Sequence, residues 1–446
     1  MTDSVLVINR IVLNGNNKTK EKIIRRELTF KERDTIYSSK LNLTLKKCKE
    51  NLLNTSLFNF VYISVDTVER IFNVQKINLI IELVERWYIW PIPFFDIAER
   101  NFNTWWETKD LRRASYGLFI SHENFRGRKE ILKLLLETGY DEQYGVSYSI
   151  PYIDKMQKFG IGFLGIFSQN HEISYQTVNN KLLYLKSNEK YLQKDYFFSI
   201  QLTSRAGIHI THSIQANYNY YQFSDTIIKL NSEYSQSKRT VNEFIGLNYF
   251  FKNDHRDDVS YPLTGYYFDI ELAKKGFGII KNEEINLFYA KTTLRKYWKF
   301  NNRFYFASGI TAKISANGFQ PYYLQRGLGY GNTFVRGYEY YVIDGQNYFL
   351  SKSNFKFALL PTRVHKFKFL KSEKFNIIHY AFYLNLLTDA AYVYDNKNRN
   401  DLSNSLLVGY GIGLDFVTYY DKVLRLEYSF NKMGEKGFFI NFVAPI

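Results

Sequence analysis

The sequence predicts a mainly β protein: a sixteen-stranded antiparallel barrel that crosses a membrane, preceded by one small α+β domain. Three observations predict it. From about residue 112 onward, apolar and polar residues alternate with a period of two in one stretch after another. Aromatics are unusually frequent, with 38 Tyr, 38 Phe and 5 Trp among 446 residues, yet the mean hydropathy is −0.32, so apolar residues are diluted rather than grouped. No uninterrupted apolar run of about 18 residues exists to make a transmembrane helix.

Residues 1–86 read as the small domain. VLVINRIVL is a strand ending at Gly15, and KTKEKIIRREL (18–28) a short helix. A second helix follows from the stripe Leu41, Leu45, Cys48 and Leu52. FVYISV (60–65) and KINLIIELVE (76–85) close the domain as strands, giving the order β-α-α-β-β. Cys48 is the single cysteine, so an intramolecular disulfide is excluded and a small core residue is expected.

Residues 87–111 hold four of the five tryptophans and two prolines, and read as an aromatic linker at a membrane–water interface. The barrel then occupies 112–446. In YYFDIELA, Tyr266, Phe268, Ile270 and Leu272 oppose Tyr267, Asp269, Glu271 and Ala273. VGYGIGLDF sets Val408, Tyr410, Ile412, Leu414 and Phe416 against Gly409, Gly411, Gly413 and Asp415, and LRLEYSF repeats the pattern. About sixteen such strands fit between residue 114 and the end, an even number that suits closure. Closure is required in lipid, where an open edge strands backbone groups at several kcal/mol each.

The net charge of +16 is spread along the chain and interleaved with acids, unlike the clustered footprint of a nucleic-acid protein, and suits an anionic membrane surface. No catalytic constellation stands out. His209 and His212 lie three apart in a predicted strand, hence on opposite faces, and cannot share a metal. GLGYG (327–331) lacks the following lysine and the strand-to-helix context of a phosphate loop. No catalytic residue, metal site or cofactor is expected. MTDSVLVINR has neither the basic start nor the apolar core of a secretory signal, so an exported protein would be seen here in mature form.

Two sets of motifs carry a resemblance. Ile11-x3-Gly15-Asn16, Thr19, Ile24-x2-Glu27-Leu28 and Leu57-Phe58-x2-Val61 resemble a POTRA (polypeptide-transport-associated) domain. Val335-Arg336-Gly337-Tyr338 is similar to the (V/I)RG(F/Y) motif in the sixth extracellular loop of the outer-membrane barrel-assembly superfamily. Asn124-Phe125-x-Gly127-x3-Ile131, Asp258-x3-Pro262-x2-Gly265, Asn354-x6-Pro361 and Leu387-Thr388-Asp389-Ala390-Ala391 resemble further barrel motifs of that family, in the family's order.

The resemblance implies that the loop folds into the lumen and that its arginine is held by acidic residues of the inner wall. The register of FYLNLLTDAAYV points Asn385 and Asp389 inward, which nominates Asp389 as partner of Arg336, beside Gly337 and Tyr338 of the loop tip. The wall around them would comprise Lys352, Asn354, Lys356, Gly409, Gly411 and Gly413, the glycines making room for the tip. Lys356 stands where the family usually has a glutamate, and is expected to compete for Asp389. The last strand, with Phe438, Ile440 and Phe442 on one face and Pro445 near its end, would form the family's lateral gate, because proline cannot donate to a ladder.

By the same resemblance the chain would sit in the outer membrane of a Gram-negative-type bacterium, with the POTRA domain in the periplasm. It would assemble unfolded outer-membrane client polypeptides into outer-membrane lipid, with accessory lipoproteins as a further class of partner and no nucleic acid. A translocator of the two-partner secretion type and a passive porin or surface-interaction barrel are the alternatives.

Overall fold

The computed structural model describes residues 4–97, 114–235, 238–281, 283–316, 320–331, 333–368, 372, 374–418, 420 and 422–442. The N-terminal domain runs β1 (Val5–Asn14), α1 (Glu21–Arg25), β2 (Thr35–Tyr37), α2 (Ser38–Leu53), β3 (Phe58–Ile71) and β4 (Val74–Glu85), with sheet order β2-β1-β4-β3. Strands β1 and β4 pair in parallel and the other pairs are antiparallel. The three-residue β2 is additional to the expected order, being too short to show alternation. Helix α1 is shorter than expected because the Lys18 and Thr19 N–H groups donate to Glu85 (3.1 and 2.7 Å), which holds that stretch as a loop. Ile8, Ile23, Ile24, Cys48, Leu52, Leu79 and Ile81 form the core. Burial pushes the Cys48 thiol up to about 12, so it stays protonated and unreactive at neutral pH.

Sixteen strands then form one antiparallel sheet. They begin with β5 (Ile89–Ile97), β6 (Ala114–Phe125), β7 (Glu130–Gly139), β8 (Glu142–Ile150) and β9 (Phe159–Asn170). A separate hairpin, β10 (Glu172–Val178) and β11 (Lys181–Lys186), caps the next connection. The sheet resumes with β12 (Gln193–Ser204), β13 (Ile210–Phe223), β14 (Val241–Asp254), β15 (Gly265–Lys275), β16 (Leu287–Lys299) and β17 (Phe304–Ser315). It ends with β18 (Asn347–Lys366), β19 (Ile377–Tyr394), β20 (Leu406–Thr418), β21 (Lys422–Asn431) and β22 (Lys436–Asn441).

The start of the sheet corrects the expected linker. Residues 89–97 pair continuously with β6, from Ile89↔His122 to Ile97↔Ala114, so the barrel begins inside the stretch read as a connection. Pro91 and Pro93 disguise the strand, since proline ordinarily punctuates rather than builds sheets. The rest of that expected linker, residues 98–111, lies outside the described residues.

Burial is inverted relative to a water-soluble sandwich. Leu294, Ile310, Ile314, Leu384, Leu386 and Ile412 are exposed on the outside, whereas Asp389, Asp415, Arg425 and Glu427 are buried on the inside. That is the pattern of a barrel whose outer face meets lipid. Among the described residues, no helix is long and apolar enough to cross a membrane. The sheet curls until the foot of β5 meets the turn between β20 and β21: the Trp90 ring lies 5.0 Å from Tyr420, and the Trp87 N–H donates to the Tyr420 hydroxyl at 3.0 Å. No ladder joins β5 to β22 among the described residues.

Candidate functional site: the luminal loop anchor and the seam

The connection from β17 to β18 folds onto the inner wall. Val335 and Tyr338, both buried, pack with Leu328, Ile343, Tyr348, Leu350, Ala391 and Leu407, so apolar contacts seat the loop on β18–β20. The tip turns at Gly337, whose φ of +80° is strained for any residue with a Cβ. At Gly409 on β20, a Cβ would lie 1.8 Å from the Arg336 carbonyl oxygen. Of the three wall glycines, this one receives the tip. Cβ atoms at Gly411 and Gly413 would instead meet residues of the wall itself, Tyr428 and Leu387. Gly409→Ala is therefore expected to lift the tip at a cost of about 1–3 kcal/mol, seen as faster hydrogen exchange of the loop amides with an unchanged barrel.

Arg336 is fully buried. Its guanidinium donates to Asn354 Oδ1 at 2.7 Å and lies 3.5 Å from Asp389 Oδ1, and its backbone N–H donates to Asp389 Oδ2 at 3.0 Å. Asp389 thus grips both the side chain and the backbone of the tip, and the register expectation places the two together. The lysines divide differently from expectation. Lys352, not Lys356, reaches Asp389 (3.3 Å), with its ammonium 4.3 Å over the Phe334 ring. Lys356 lies 4.1 Å over the ring of Tyr261.

Tyr261 is one of the residues sequence reasoning missed. It comes from the turn between β14 and β15, where Asp257 and Asp258 accept backbone N–H bonds that fold the turn back. Its hydroxyl donates to Asp415 Oδ2 at 2.7 Å, and Asp415 pairs with Arg425 through two bonds of 2.6 and 2.7 Å. A second buried ion pair thus sits beside Lys356, where the family pattern would place a carboxylate. Asp415 and Arg425 are visible as polar members of alternating strands, but nothing in one sequence says that they face each other.

The loop also holds the last hairpin. Asn431 donates to the Gly337 carbonyl and to Glu435, each at 2.8 Å. Tyr341 donates to Glu435 at 2.7 Å, and the Tyr340 ring lies 5.3 Å from Phe439 on β22. The tip therefore spans from Asn354 on β18 to the final strand. Asn431 and Glu435 carry no motif, which is why they were missed.

At the seam, Phe438, Ile440 and Phe442 are exposed at 58%, 56% and 78%. Pro445 lies outside the described residues. The described prolines of the seam are on its other side, at Pro91 and Pro93 of β5.

The POTRA family (surface antigen variable number repeat) matches residues 6–86. No curated protein matches the chain. Among solved structures, BamA from Haemophilus ducreyi lacking POTRA domains 1–3 aligns at TM-score 0.52 and 15% identity, covering 98% of this chain and 83% of that one. The barrel shares the fold of BamA, and the domain ahead of it matches the POTRA family. CdiB from Acinetobacter baumannii (TM-score 0.52, 14% identity, 99% and 74% covered) and CdiB from Escherichia coli (0.51, 8%, 99% and 89%) share the fold.

The POTRA domain is docked on the turns at one end of the barrel, and its motif residues make the joint. Thr19 accepts from Asn124 at 2.9 Å, and the Lys20 N–H donates to the Gly127 carbonyl at 2.8 Å. Buried Glu27 receives two bonds from Arg205, at 2.6 and 2.9 Å. Asn54 donates to the Asp257 carbonyl at 3.2 Å, and Asn59 to the Lys374 carbonyl at 3.3 Å. Burial raises the Glu27 carboxyl, but the charges of Lys129 and Arg205 outweigh burial and hold it below its ordinary value. A group lowered on docking contributes above its ordinary pKa and loses that contribution as the pH falls through the lowered value. Docking is thus expected to weaken in acid, below the usual carboxylate range. Glu27→Gln should remove this pH step and weaken docking by about 3–5 kcal/mol, because Arg205 is left without its carboxylate. Spin-label distances between α2 and the β12–β13 turn would report both effects.

Proposed function

We propose that this chain is an outer-membrane insertase: its POTRA domain receives unfolded outer-membrane polypeptides, and the seam between β5 and β22 is a lateral gate through which their strands enter lipid. The observation that carries the reading is the joint state of the seam and the loop. Among the described residues the two terminal strands have no ladder between them, and the anchored loop reaches the hairpin that borders the seam. Clients would first dock on the edge of β3, which among the described residues has a strand partner on one side only. The reading is non-enzymatic, and places the POTRA domain in the periplasm of a Gram-negative-type cell. Fold alone does not assign function, since BamA-like barrels and CdiB share this architecture.

The test is reconstitution of the full chain in liposomes, with folding of an added, urea-unfolded barrel protein as the readout. Acceleration over empty liposomes that is lost in Arg336→Ala supports the insertase. Export of one soluble polypeptide without acceleration supports a translocator, and solute leakage alone supports a porin.

A further inference from the structure

At the rim that carries the POTRA domain, one sector of the barrel differs in charge from the rest. The arginines of the β6–β7, β12–β13 and β14–β15 turns are paired with carboxylates. Arg126 and Arg128 reach Glu130 at 2.8 and 3.3 Å, Arg205 reaches Glu27 at 2.6 Å, and Arg256 reaches Asp254 at 2.6 Å. Strands β16, β17 and β18, and the turn between the first two, contain no Asp or Glu. Lys299 at the end of β16, Arg303 in that turn, and Arg363 and Lys366 on β18 are all exposed. None of the four has a carboxylate within ion-pair distance among the described residues. Beside these cations runs a band of rings on the outer face. Trp298 stacks on Phe306 at 5.5 Å, and Phe304 lies 5.8 Å from Phe355 and 5.0 Å from Phe357, with the Arg303 guanidinium 6.0 Å over Phe357. Strand β18 then outgrows its neighbour. The Ala358 N–H donates to the Arg303 carbonyl at 2.8 Å, and Leu359–Lys366 run on, paired only with β19, for about 25 Å. Both register shifts of that ladder insert residues on β18, so β19 keeps its alternation. Leu384 and Leu386 are exposed on the outside, Tyr380 and Ile378 continue their face, and Arg363 and His365 stand opposite those two.

We propose that this sector is a binding surface for the anionic headgroups of phospholipids in the leaflet on the POTRA side. Lys299, Arg303 and Arg363 hold the phosphodiesters, and Trp298, Phe304 and Phe355 lie against the chains beneath them. The physical reason is that charge and position agree. Large rings concentrate where the bilayer meets water, and an anionic leaflet attracts cations placed just beyond that level. A cation without a carboxylate on the protein keeps its charge for a phosphate, whereas the paired arginines of the other turns are already neutralised. The planar fork of Arg303 also matches two phosphate oxygens at once. The overhang of β18 carries Arg363 past the last ring of the band, so one face runs from acyl chains to headgroups. The inference goes beyond the gate reading and does not depend on it. The surface holds acidic lipid against β16–β19 whichever polypeptide the barrel handles.

Two measurements on the full chain test the inference. In the first, the protein is equilibrated with equal amounts of phosphatidylglycerol and phosphatidylcholine of identical acyl chains, and the lipids it retains are counted by native mass spectrometry. Phosphatidylglycerol should be retained in preference, and Lys299→Gln/Arg303→Gln/Arg363→Gln should lower that preference at least about fivefold. The control Lys155→Gln/Lys158→Gln/Lys190→Gln removes the same charge elsewhere and should keep it. Equal loss in both triple variants would reduce the effect to net charge and overturn the inference. Equal retention of the two lipids by the unaltered chain would also overturn it, leaving an acidic protein surface as the occupant. Heat-modifiable gel migration confirms that each variant is folded. In the second, the chain is placed in vesicles containing brominated phosphatidylglycerol or brominated phosphatidylcholine, and the Trp298 signal is taken as the difference from Trp298→Phe. Stronger quenching by the brominated phosphatidylglycerol, lost in the Lys299/Arg303/Arg363 variant, places the anionic lipid at this sector. Equal quenching by the two lipids would overturn the assignment.

Discussion

Arg336→Ala is expected to abolish client folding in liposomes while leaving the barrel inserted. The side chain is fully buried, and its removal takes a cation from Asp389, which keeps Lys352 and the backbone N–H of residue 336, and takes a charged donor from Asn354. Truncating one partner of a buried charge pair typically costs about 3–5 kcal/mol, because the remaining charge keeps its desolvation penalty without its counter-charge. That cost falls on the loop rather than on the sheet, whose ladders do not involve Arg336. Heat-modifiable migration should therefore persist while loop amides lose protection. Retained folding activity with a mobile loop would show that the anchor is structural only. Arg336→Lys separates charge from geometry. It keeps the cation but loses the planar fork that reaches Asn354 and Asp389 together, so partial activity at most is expected.

The second large effect is expected at the seam. A disulfide between one cysteine in β5 and one in β22, in a Cys48→Ala background, should eliminate client folding, and reduction should restore it. Cys48 is buried in the POTRA core with its thiol held protonated, so its replacement is a precaution against exchange during oxidation. The expected loss is complete because a covalent bond removes the only wall position, among the described residues, at which neighbouring strands lack a ladder. Full activity of the oxidised form would exclude the gate, whatever happens at the loop. The two experiments address linked parts, since Asn431 and Glu435 tie the loop tip to the β21–β22 hairpin. In double combination their effects should not add.

Much of the fold was legible because barrel and POTRA domain each follow a local rule. Alternation with a period of two placed most barrel strands, and the inward parity of Asp389 followed directly from it. The strand at residues 89–97 was hidden because the prolines that make it an edge also mimic a linker. Parity says which face a residue takes, but not how far along a tilted strand it sits. Lys352 and Lys356 share a face, and only the register of β18 on β19, which sets Lys352 opposite Asp389, decides which one reaches it.

By itself, then, the sequence determined the two-part architecture, the buried cysteine and the inward carboxylate, while the resemblance of the loop motif to a known family pointed to the arginine that meets it. Each depends on chemistry within a strand or a short motif. Tertiary structure alone decided the contacts between elements distant in the chain: Tyr261 with Asp415, Glu27 with Arg205, Asn431 with the loop tip, and, among the described residues, the lack of a ladder between β5 and β22. Those contacts are set by barrel curvature and strand register, which arise from the sum of all sixteen pairings.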